Sequence, residues 1–217
     1  MTISQPSTLK LTYFDFTDHV EATRLSLHVA GIEFEDERIS REQFLAIKHT
    51  LPFAQLPVLT VDGKFMFAQS KPILRYAGTI GGLYPGTTDI LTSLLIDQIV
   101  EEMGDFWIKL VPSFSEPDEA KKLKIVQKVS AEDYPSMLSA LDRFLAQHGD
   151  GFAVGDKLTI ADLAVYCYFN LIVGPRAAVK GIPNDLLVPY SNISKVYKAV
   201  QTHPLVMEWE SKFASDK

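Results

Sequence analysis

The chain has only one cysteine, Cys167, which excludes an internal disulfide and fits a reducing compartment. It has no surplus of positive charge: 21 lysines and arginines against 27 acids leave a formal net charge of −6. That balance argues against nucleic acid as a main partner, while a small anionic ligand stays open because a local field outweighs net charge. No apolar run reaches the roughly 18 residues that a membrane span needs. The longest, Leu163 to Val173, is broken by tyrosines and Asn170. The five histidines lack metal-ligand spacing, so no metal is expected. Met1 to Pro6 is polar, without the apolar core of a secretory signal. Repeats and low-complexity segments are missing too. A cytoplasmic location with no membrane partner is the expectation.

What is present is organised around Leu51 to Ser70. Val58–Val61 is a short apolar, β-branched run that predicts a strand. Asp62-Gly63 is a two-residue turn that needs positive φ at both positions, and Phe65-Met66-Phe67 reads as the return strand. Ser70 stands where an N-cap belongs, ahead of the apolar-periodic Ile73, Leu74 and Tyr76-Ala77. Pro57 opens the first strand, a place where its missing N–H does no harm. A cis Leu56–Pro57 bond is expected at such a corner, turning the Leu56 backbone outward to pair with an extended peptide. Gln69-Ser70 adds a side-chain amide, a hydroxyl and unpaired N–H groups at a helix start, a seat for a carboxylate. Both features fit a small acidic peptide laid along a sheet edge.

Taken in order, residues 1–8 read as a loose tail. Leu9 to Phe14 alternates as a strand. Asp18 reads as the N-cap of a helix ending at Gly31, and Ile32 to Ile39 alternates as a second strand. Ser40 caps a short helix from Arg41 to about Lys48. With the hairpin and a helix from Ser70 to about Ile80, the order predicts a four-stranded mixed sheet with packed helices. The breaker-rich Gly81 to Gly86 marks a boundary. Beyond it lie long helical periods: Leu91 to Pro112, then Asp118 to about Gln147 with a kink at Pro135. Thr159-Ile160-Ala161-Asp162 opens a third helix with a capping box. That helix is apolar nearly all round and so expected at the domain's centre. Two shorter helices follow, near 191–202 and 204–213.

At this point the sequence resembles the cytosolic glutathione S-transferases. The matching pieces are Leu11-Thr12-Tyr13-Phe14, Thr50 to Phe53, Gln55 to Leu59, Asp62-Gly63, Gln69-Ser70, Asp105-Phe106 and Thr159 to Asp162. They span the chain apart from the tail, and the sigma class is the nearest in character. The resemblance implies a thioredoxin-like α/β domain over 9–82, a linker over 83–88 and an all-helical domain over 89–217. It implies a homodimer, and glutathione as co-substrate with no tightly bound cofactor.

Residue by residue, the resemblance makes Tyr13 the catalytic phenol that stabilises the thiolate of glutathione. Leu56 would pair with the cysteinyl backbone, with Pro57 fixing the corner. Gln69 and Ser70 would hold the γ-glutamyl carboxylate, Lys48 with Gln55 the glycyl end, and Asp105 would reach the γ-glutamyl amine across the dimer. Phe44 stands where the sigma enzymes carry a tryptophan donor, and His19 where an arginine is usual. Thr17 and Asp18 replace the usual Arg-Gly. Phe14, Phe16, His19, Met103, Trp107 and Tyr168 would line a pocket for an apolar electrophile. A second reading is a non-catalytic binding or structural protein on the same scaffold. Thr159 and Asp162 serve folding, and Cys167 serves packing.

Overall fold

The structure, a computed structural model, describes residues 8–18, 20–175 and 177–212. The expected tail, apart from Thr8, and the expected role of His19 lie outside the described residues.

A four-stranded sheet forms from β1 (Leu9–Phe14), β2 (Glu35–Ile39), β3 (Val58–Val61) and β4 (Phe65–Ala68), in the order β2-β1-β3-β4. β1 pairs parallel with β2 and antiparallel with β3, and β3–β4 is the hairpin. Asp62 and Gly63 adopt φ of 54° and 62°, so the positive-φ turn inferred from the sequence is present. Helices α1 (Glu21–Val29) and α3 (Ser70–Ile80) cover one face, while α2 (Arg41–Ile47) follows β2. Leu9, Leu11 and Tyr13 recur at the strand period of two and pack with Leu27, Leu59, Ile73 and Ala77.

The other sides of α1 and α3 face a larger apolar core. Ala22, Leu25 and Leu74 join it with residues of α4 (Ile90–Phe114), α6 (Tyr134–His148) and α7 (Ile160–Val173). α7 is buried along most of its length, as its largely apolar character requires. Gly78 lets α3 meet the start of α7, because a Cβ there would stand 2.5 Å from the Ile160 side chain. α5 (Glu119–Lys128), α8 (Ser191–Gln201) and α9 (Pro204–Ser211) complete the helical part. Among the described residues, no helix is long and apolar enough to cross a membrane.

The structure corrects several sequence expectations. The second strand starts at Glu35, not Ile32, because Gly31 and Ile32 are used to close α1. The Ile32 N–H donates to the Leu27 carbonyl and the Gly31 N–H to that of His28, a Schellman closure. Ser70 is the first helical residue, and the cap position falls to Gln69 at φ 79°. α4 runs through Pro112 to Phe114. The carbonyl that Pro112 leaves unpaired belongs to Ile108, on an exposed stretch near the helix end. The expected single helix over 118–147 is divided by a wide π-type turn at Val129–Asp133, two residues before Pro135. Asp118 caps α5 by accepting from the Ala120 and Lys121 N–H groups.

Candidate active site

The sheet register brings three separate stretches to one end. Thr12 lies opposite Val58 on β3, and Val58 lies opposite Ala68 on β4. The end of β1 (Tyr13-Phe14), the corner at Leu56–Pro57 and the tip of α3 at Gln69-Ser70 are therefore neighbours. The Leu56–Pro57 bond is cis, and Phe53 and Ala54 ahead of it have φ of 55° and 50°. Gln55 and Leu56 are half-buried and Pro57 is buried; Gln69 is exposed and Ser70 half-buried.

Tyr13 is 5% exposed, and its hydroxyl donates to Asp18 Oδ1 at 2.7 Å. Burial, then the Asp18 charge and hydrogen bond, push the phenol far above its ordinary range, with Arg24 acting weakly the other way. The phenol therefore keeps its proton and can act only as a donor or a placed hydroxyl. Asp18 does not cap α1. The cap position is Val20, with no side-chain bond, while the Asp18 carbonyl accepts the Glu21 N–H at 3.1 Å. Tertiary pairing with Tyr13 takes the carboxylate instead.

The segment between Phe14 and Glu21 is fastened by Arg24, which is fully buried. Its guanidinium donates to the carbonyls of Phe16 at 3.1 Å and Phe14 at 3.3 Å. It also donates to Glu21 at 3.1 Å and Asp36 at 2.9 Å. Trp209 of α9 donates its indole N–H to Glu21 at 2.7 Å. None of Glu21, Arg24, Asp36 and Trp209 was singled out by the sequence reading. An acid and an arginine three apart on α1 was the available signal.

Phe14 and Phe16 stack with ring centroids 5.5 Å apart, and both meet the Tyr13 ring edge-on. Phe44 of α2 meets Phe14 edge-on at 5.5 Å, and the exposed Lys48 ammonium sits 5.8 Å from the Phe44 centroid. The packing of Phe44 thus puts Lys48 beside the aromatic group around Tyr13.

Between the sheet part and the helices lies a cleft of about 80 Å³ lined by Asp18, Ser70, Lys71, Met103, Trp107 and Tyr168, among others. Met103, Trp107 and Tyr168 are the expected pocket residues that the structure brings together. Phe14 and Phe16 stand outside this lining, in the aromatic stack with Tyr13. The Tyr168 hydroxyl lies 2.5 Å from the buried Tyr134 hydroxyl. Asp105 is exposed on α4 and lies outside the lining. Lys71, which the sequence reading passed over, lies across Gly104 and pairs with Glu101. Cys167 also lines the cleft, with its thiol pushed well up by burial and then by the Glu21 charge, as expected of a packing cysteine. A larger hollow of about 1050 Å³ sits at the far end of β1. It is bordered by Thr8, His28, Phe34, Trp209 and Lys212, among others.

Residues 9–79 match the family model "Glutathione S-transferase, N-terminal domain", and residues 104–212 match "Glutathione S-transferase, C-terminal domain". The sequence is 34% identical to glutathione S-transferase 1 of Ascaris suum, over 92% of this chain and 94% of that one. The fold superposes on a prostaglandin synthase D structure from Nilaparvata lugens with a TM-score of 0.80 and 31% identity, over 94% of this chain and 98% of that one. It also superposes on the monomeric Na-GST-3 of Necator americanus with a TM-score of 0.81 and 27% identity, covering 97% and 99% of the two chains. With both domain models matched and whole-length likeness in sequence and fold, this chain belongs to the glutathione S-transferase family.

Proposed function

We propose that the protein binds glutathione at the sheet end, ionises its thiol beside Tyr13 and adds the sulfur to apolar electrophiles. The observation that carries this reading is the register, which makes neighbours of Tyr13, Leu56–Pro57 and Gln69-Ser70. A tripeptide with an extended backbone and two carboxylates meets there a peptide edge, a helix tip and a phenol. Leu56 pairs with the cysteinyl backbone, and Gln69 with Ser70 receives the γ-glutamyl carboxylate. Lys48 and Gln55 take the glycyl carboxylate, because Phe44 has no donor. Met103, Trp107 and Tyr168 receive the electrophile. The same reading divides the chain into a glutathione-binding domain over 9–82 and a helical domain over 89–217, in a cytoplasmic protein.

The chemistry requires that a thiol with a pKa near 8.5 become an anion near neutrality. Lowering that pKa by about two units takes roughly 2.7 kcal/mol of preference for the anion. A charge-assisted hydrogen bond from a buried phenol supplies most of it. Retention on immobilised glutathione together with turnover of an apolar electrophile supports the enzyme. Retention without turnover returns the reading to the non-catalytic alternative. Lys48→Ala should raise KM for glutathione about three- to fivefold with kcat unchanged, since an exposed ion pair contributes little. The increase should shrink in high salt; an unchanged KM removes Lys48 from the glycyl end.

The proposal includes a homodimer, in which Asp105 reaches the partner's γ-glutamyl amine. Phe53 is 78% exposed, and Phe65, Phe67, Ile90, Leu91 and Leu94 are exposed as well. So much apolar surface on the β4 hairpin and the start of α4 suits burial against a second copy. Sedimentation should give twice the chain mass, and Phe53→Ser should shift the equilibrium toward the monomer. A wild-type monomer would withdraw the Asp105 role.

A further inference from the structure

We infer that Asp18 is a positioning residue that restrains thiol activation, because its carboxylate competes with the glutathione sulfur for the one proton of the Tyr13 hydroxyl. The inference rests on the glutathione reading above. A phenol has a single O–H, and here it is already given to Asp18 at 2.7 Å. Asp18 also lines the cleft with Ser70 and Trp107, so carboxylate and thiolate would face the same hydroxyl. Arg24 holds the segment in place through the carbonyls of Phe14 and Phe16, which keeps the carboxylate at that position.

Arg24 is the cation nearest in effect to the Tyr13 hydroxyl, yet it is engaged by Glu21 and Asp36. Lys71 of α3 lines the same cleft and is paired with Glu101 of α4. When glutathione ionises, its thiol proton leaves to water. The Tyr13 O–H turns from Asp18 to the sulfur without leaving its own oxygen, and Asp18 remains an anion that has lost this donor. Both the lost bond and the like charge oppose the thiolate. An asparagine of the same shape removes the charge and adds an amide donor.

The test is an ultraviolet titration of the bound thiolate in full-length wild type, Asp18→Asn and Asp18→Ala. Affinity for S-methylglutathione, which has no ionisable thiol, reports the seat independently. The expected result is S-methylglutathione affinity within about twofold in all three proteins, and a bound-thiol pKa lower by about one unit in both variants, roughly tenfold more thiolate below the pKa. An unchanged pKa overturns the inference. So does a raised one, which would make Asp18 the acceptor of the thiol proton. Loss of S-methylglutathione binding in the variants alone would make Asp18 part of the seat and also overturn it. If wild type itself fails to bind S-methylglutathione, the glutathione reading fails first and the inference falls with it.

Discussion

Tyr13→Phe is expected to lower kcat/KM about 30- to 100-fold at neutral pH, the equivalent of roughly 2–2.7 kcal/mol of lost thiolate stabilisation. The ring belongs to the apolar cluster under the sheet and keeps its edge contacts with Phe14 and Phe16, so only the hydroxyl is lost. Stability should fall by no more than about 1.5–3 kcal/mol, the range for one hydrogen bond to a charged group. The loss should also depend on pH. With the donor gone, the bound thiol ionises nearer its value in water, so the rising acid limb of the profile moves to higher pH and the variant approaches wild type above about pH 9. A pH profile of kcat/KM with a thermal melt checks both parts. A variant that conjugates as fast as wild type at pH 7 removes Tyr13 from the chemistry.

Asp162→Ala is expected to destabilise the fold by about 3–5 kcal/mol, lowering Tm by roughly 10 °C, while glutathione contacts stay chemically intact. The fully buried carboxylate accepts the Ala153 N–H at 2.6 Å, the Thr159 N–H at 2.8 Å and the Thr159 hydroxyl at 2.8 Å. Alanine leaves two buried N–H groups unpaired at about 1–3 kcal/mol each, at the start of the helix around which the bundle packs. Burial pushes the Asp162 carboxyl up to about 6, while the hydrogen bonds from Ala153 and Thr159 pull it down. A carboxyl raised on folding keeps its proton where the unfolded chain has lost it. Its contribution is therefore full below about pH 4 and declines as pH rises through about 6. The gap between wild type and variant should thus widen as pH falls from 7 to 5. Calorimetry at the two pH values measures it, and an unchanged melt with reduced turnover would reverse the assignment to folding.

The residues whose roles are local were legible in the sequence. Asp62-Gly63 had to be a positive-φ turn, Pro57 belonged at a strand's start, and Thr159 with Asp162 announced a helix start. Each signal sits within a few residues of the structure it specifies. Asp18 was misread because its local reading, a cap three residues before Glu21, loses to the Tyr13 hydroxyl once β1 and α1 pack. Arg24 and Trp209 could not be assigned at all: the indole reaches Glu21 across a separation of 188 residues. Pro112 was read as a stop, yet near a helix end on an exposed stretch a missing N–H costs little. Which of Phe14, Phe16, Met103, Trp107 and Tyr168 face the cleft depends on how α4 and α7 dock against the sheet part, and periodicity carries no information on that.

The most direct measurement is a crystal structure of the glutathione complex. The tripeptide should lie at the sheet end with its cysteinyl backbone on Leu56, a carboxylate at the Ser70 helix tip and its sulfur within hydrogen-bond reach of the Tyr13 hydroxyl. Glutathione seated elsewhere, or seated there with its sulfur turned away from Tyr13, would contradict the assignment.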